Sequence, residues 1–177
     1  MDLLELYGRA SEWALDKVAG TEGKLDGATP CEEWTVRELL NHMLATQQYF
    51  VGAAQGKDVS PPGPNPPELL GDDPLADFAR ARSETLSVYG EEGVVDRTGP
   101  ALGIAFSDQL LHGWDVATAT GQDASMPEDL AVAAYEMIHG RFTDEQRKGV
   151  FGPELPAPAD ASPQQKLLAY SGRNPAG

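Results

Sequence analysis

Cysteine, histidine and cationic side chains are all scarce in this 177-residue chain. Cys31 is the only cysteine, so no disulfide can form within the chain. Lys and Arg together number 13 against 28 Asp and Glu, a formal net charge of -15. Such a field repels nucleic acid and anionic bilayers, so neither is expected as a partner. No apolar run approaches the roughly 20 residues that span a membrane. The opening "MDLLELYGRASEW" has neither the basic leader nor the small-residue cleavage site of a secretion signal, which predicts a cytoplasmic protein. Period-2 alternation, internal repeats, a glycine-rich phosphate loop, a nucleophile elbow and a CxxC pair are all missing.

What is present is helical periodicity. Leu3, Leu6, Tyr7, Ala10, Trp13, Ala14 and Val18 recur at three and four residues and end at Gly20. Thr35 stands three before Glu38, a capping-box start for a helix carrying Val36, Leu39, Leu40, Met43, Leu44, Phe50 and Val51 and expected to run to about Gln55. "GKDVSPPGPNPPELLGDDP" holds six prolines and three glycines and reads as a long functional loop. Asp73 before Pro74 opens a third helix, and "ALGIAFSDQLLHGWDVATAT" forms a fourth, stopped by Gly121. Ser125 with Glu128, Thr143 with Gln146, and Ser162 with Gln165 are three further capping-box patterns. These readings predict an all-α fold: one domain over residues 1–177, a bundle of four main helices with an irregular, proline-containing C-terminal tail.

The fourth helix carries the chemistry. Leu102 to Ala119 contains no Lys, Arg or Glu, yet Asp108, His112 and Asp115 share one stripe within roughly 60° of one another. Carboxylates among apolar side chains need a partner, because an unpaired buried charge is costly. His42, at the edge of the second helix's apolar stripe, offers a second arm. His42, Asp108 and His112 together make a three-ligand metal site with open positions, and Asp115 an acceptor that orients an imidazole. The spacing also permits plainer roles: a hydrogen-bonded core histidine, Asp108 paired with Arg37, and Asp115 bracing a loop. His139 before Gly140 suits a helix C-terminus. Cys31, with no histidine near it in sequence, reads as inert; Trp13 and Trp34 read as core or staple residues, and Trp114 as lining a cavity.

"TPCEEWTVRELLNHM", "LLHGWDVATATGQ" and the tail "FGPELPAPADASPQQKLLAYSGRNP" resemble the short actinobacterial members of the DinB-like, mycothiol-dependent maleylpyruvate isomerase N-terminal-domain family. The resemblance implies a DinB-like four-helix bundle holding a divalent metal (zinc first, with nickel, cobalt and iron as alternatives) on His42, Asp108 and His112. It implies a small-molecule thiol such as mycothiol and an electrophile as partners, in S-transferase or isomerase chemistry, from a monomer or homodimer. Asp108 is one methylene shorter than the Glu of the isomerase itself, and the chain lacks that enzyme's additional domain. The expectation is therefore thiol transfer or isomerase-like chemistry rather than maleylpyruvate as substrate. A non-catalytic metal- or ligand-binding bundle is the alternative. An iron oxygenase, which shares the donor set, ranks third because its usual β scaffold is missing.

Overall fold

The computed structural model describes residues 1–176, and its regular structure is α-helical; the one β feature among these residues is an isolated bridge between Ala28 and Thr35. The chain divides into two compact units, Met1–Ala124 and Ser125–Gly177.

The first unit holds α1 (Leu3–Ala19), α2 (Val36–Ala54), α3 (Pro74–Tyr89), the single turn α4 (Val94–Arg97) and α5 (Ala101–Thr120). Helices α1, α3, α2 and α5 each pack on two neighbours in that cyclic order, leaving α1 with α2 and α3 with α5 as diagonals. That closed ring is a four-helix bundle.

Local chemistry sets the helix ends. Asp2 caps α1 by accepting from Glu5 N, and Asp73 caps α3 by accepting from Ala76 N with Pro74 in the first turn. The Thr35–Glu38 capping box forms in full, and α2 ends at Gln55 as its stripe predicts. Gly121 ends α5 at φ 71°, a left-handed conformation that a Cβ would strain. The bundle core includes Ala14, Val18, Val36, Leu39, Leu40, Met43, Leu44, Phe78 and Val116. α5 is buried around most of its circumference, with Ile104 38% exposed.

The long segment between α2 and α3 is not loose. Buried Asn41 on α2 accepts from both Leu69 N and Leu70 N at 2.8 Å, and those two leucines pack against the core. Trp34 Nε1 donates to Pro64 O at 2.9 Å. None of the described helices is long and apolar enough to cross a membrane.

The second unit holds α6 (Glu128–Ile138), the turn α7 (Asp144–Arg147) and α8 (Pro163–Tyr170), with α6 packed on α8. The Thr143–Gln146 and Ser162–Gln165 boxes form. The Ser125–Glu128 box does not: the N-cap of α6 is Pro127, in extended geometry and without a side-chain cap. Met126 precedes a proline, which disfavours the helical conformation there, so the helix cannot begin early enough to place Glu128 in its third position. His139 is the C-cap of α6 and stacks on Tyr135 with ring centroids 4.6 Å apart.

Candidate metal centre

Two helices and one loop of the first unit bring the polar groups together. α2 contributes His42, α5 contributes Asp108, His112 and Asp115, and the segment before α2 contributes Cys31 and Trp34. One donor atom from each of His42, Asp108 and His112 lies within 4.8 Å of the others. The imidazoles meet edge to face, with centroids 4.9 Å apart. The i, i+4 spacing on α5 puts Asp108 Oδ1 3.5 Å from His112 Nε2. One turn on, Asp115 Oδ2 lies 2.9 Å from His112 Nδ1, and Asp115 is fully buried. The two ring nitrogens of His112 thus face different carboxylates.

Charge and burial pull the two histidines apart. For His42, burial and the neighbouring His112 lower the pKa to about 4, against the opposing pull of Asp108 and Asp115. For His112, burial also disfavours the cation. The Asp108 charge, the Asp115 hydrogen bond and a contact with Cys31 outweigh it and push the pKa up to about 10. At neutral pH and without metal, His42 is an uncharged donor and His112 a cation between two carboxylates.

Whether these side chains suit a divalent cation is tested by what they leave unsatisfied. Among the described residues His42 Nδ1 and Asp108 Oδ2 are buried with no hydrogen-bond partner, and His42 Nε2 has a long 3.4 Å contact with Thr46 Oγ1. Buried polar atoms are rarely orphaned, and an ion is one accepted reason. A divalent cation replacing the His112 proton would also balance the two carboxylates, giving a neutral cluster in a poorly solvated place. The donor set of two imidazoles and a carboxylate suits zinc or a similar ion, and Asp115 on Nδ1 holds the His112 tautomer that leaves Nε2 free. The residues fit.

Two further residues, Cys31 and Trp34, pack against the core and also border the candidate ligands. Cys31, expected to be inert and without a histidine nearby, donates its thiol to Asp115 Oδ2 at 3.4 Å and contacts His112, forming a second donor cluster with both. The fold brings residue 31 beside α5 across 84 positions of sequence, a proximity that no spacing argument reveals. Trp34, expected to be core or staple, lies against His42 with centroids 4.5 Å apart and 6.4 Å from the His112 ring. Its position one residue before the Thr35 cap is that of a staple over the start of α2, and no spacing links it to His42. Trp114 is buried at 3% exposure; the indole in ring contact with both histidines is Trp34. Arg37 forms no ion pair with Asp108 among the described residues, where Asp108 faces His112 instead.

The model of the mycothiol maleylpyruvate isomerase N-terminal domain matches residues 8–131. The chain belongs to this family. The match covers α1 from its second turn and all of α2 to α5, and therefore every residue of the candidate centre. An uncharacterized protein of Mycobacterium tuberculosis, found in two strains, is 28% identical to the chain over 188 aligned positions, spanning 98% of both sequences. No solved structure matches the chain.

Proposed function

We propose that this protein is a metal-dependent enzyme that joins a low-molecular-weight thiol of the mycothiol class to a small electrophile, by S-transfer or thiol-assisted isomerisation. The observation that carries this reading is the convergence of His42, Asp108 and His112 donor atoms within 4.8 Å, two of those side chains having a buried atom without a partner. Family membership supports both the thiol and the metal.

In this reading His42, Asp108 and His112 hold the ion, zinc being the best match to the donors. When bound, a divalent metal stabilises the thiolate form of a thiol, which is the nucleophile. The remaining work belongs to the chain. Asp115 fixes the His112 ring through Nδ1, and Trp34 braces the His42 ring from one side. The segment tied down by Asn41 and Trp34 is anchored through the same indole that contacts His42. Cys31 hydrogen-bonds to Asp115 and so stands as a neighbour that tunes this carboxylate. A free thiol as part of the working site suits a reducing, cytoplasmic compartment.

The experiment is a thiol-consumption assay with mycothiol or a surrogate thiol over a panel of electrophiles. It compares metal-loaded protein, chelator-treated protein and His42→Ala. Turnover by the loaded protein alone is the expected result. Equal rates in all three across the panel would favour a non-catalytic binding bundle.

A further inference from the structure

The second unit contains a buried guanidinium without a counter-charge. Arg147, the last residue of α7, is 9% exposed. Its Nη2 donates to Gly152 O and Tyr170 O, and its Cζ lies 4.4 Å from the Tyr170 ring centroid and 5.7 Å from that of Phe151. Nη1 is buried and has no partner, and no carboxylate pairs with the guanidinium among the described residues. Carbonyls and ring faces compensate such a charge in part, but an unsatisfied buried donor on a charged group remains costly.

The same side chain lines a cavity of about 540 Å³, with Phe142, Phe151 and Tyr170 among its walls. Phe142 and Phe151 meet edge to face, with centroids 5.4 Å apart, giving an apolar wall beside the cation. Asp144 and Glu154 also line the cavity as exposed carboxylates, and Lys148, the other full cation there, is engaged by Glu145 at 2.8 Å. One uncompensated positive charge is therefore set against an aromatic wall and an acidic rim. A dianion would meet repulsion from that rim. A single carboxylate beside the guanidinium that lines this cavity would supply the missing counter-charge.

We propose that this cavity binds a small organic monocarboxylate whose apolar or aromatic body packs on Phe142 and Phe151. The match to the N-terminal domain of the family ends at residue 131, before any of these groups.

The test is calorimetric or NMR titration of the full chain with benzoate and with inorganic phosphate. Benzoate is expected to saturate one site per chain, and phosphate to bind at least about tenfold more weakly. Arg147→Lys keeps the charge but loses the planar fork, and should weaken benzoate at least about tenfold. Because Arg147 also braces Gly152 and Tyr170, Glu154→Gln provides an independent arm: it removes an exposed rim charge and should tighten benzoate about two- to threefold at low salt. Benzoate that fails to saturate by about 10 mM, phosphate that binds as tightly, or an affinity unmoved by Glu154→Gln would overturn the proposal.

Discussion

The indole of Trp34 lies against the imidazole of His42, centroids 4.5 Å apart and planes inclined by 31°, while its Nε1 holds Pro64. One side chain therefore couples a proposed ligand to the proline-rich segment. Trp34→Phe keeps a ring on His42 but removes the donor. It should loosen the segment by about 0.5–1.5 kcal/mol, the usual net worth of such a bond, and speed proteolysis between residues 57 and 73. Bound metal should stay near wild type. Trp34→Ala removes both contacts and should lower metal affinity as well.

Asp115→Asn tests the orienting carboxylate. Replacing a charged acceptor on His112 Nδ1 should weaken metal binding by about 10- to 100-fold, as is typical for such partners. Competition against a chromophoric chelator measures this. An unchanged affinity would reassign Asp115 to a purely structural role.

The two histidines predict a peaked pH dependence for the metal-free protein. The folded pKa of His42, about 4, lies below its ordinary 6.5, so its contribution is present above 6.5 and is lost as pH falls towards 4. His112, raised to about 10, contributes fully below 6.5 and loses that contribution as pH rises through 10. Considering these two groups alone, stability should peak near pH 6.5; denaturant titrations at acidic, near-neutral and alkaline pH check it. Metal must displace the His112 proton, so binding at pH 7 should release about one proton per ion, and calorimetry in buffers of different ionisation enthalpy would count it.

Gly113 stands next to His112 where α5 meets α1. A Cβ there would come within 2.7 Å of Trp13 Cζ3 and 3.3 Å of Ala14 Cβ. Gly113→Ala should therefore cost about 1–3 kcal/mol by overpacking, despite the better helix propensity of alanine. Thermal or denaturant melts would show it, and a stabilised variant would mean that α1 and Trp13 yield freely.

The helical architecture was legible because stripes at three and four residues and capping boxes are local signals. The Asp108, His112 and Asp115 stripe stood out because no Lys, Arg or Glu shares its helix from Leu102 to Ala119. His42 was legible as a polar residue at a stripe edge, and the fold places its ring beside His112. Cys31 and Trp34 pack against the core, as expected of a packed cysteine and a core or staple tryptophan, but their closeness to the histidines was not legible, because they precede a helix, where periodicity does not act and the tertiary path decides which side chains meet. Arg147 passed unnoticed since burial of a cation leaves no mark on sequence spacing. The Ser125 box failed for a reason visible in the sequence: Pro127 restricts Met126.

The most direct test of the metal assignment is anomalous diffraction from crystals of the metal-loaded protein. One peak is expected, bonded to a nitrogen of His42, a nitrogen of His112 and an oxygen of Asp108, at roughly 2.0–2.2 Å as for zinc-like ions. That peak should be lost in His112→Ala crystals with the bundle intact. Loaded crystals with no peak there, or with the ion held by Cys31 and Asp115 without His42, would contradict the assignment.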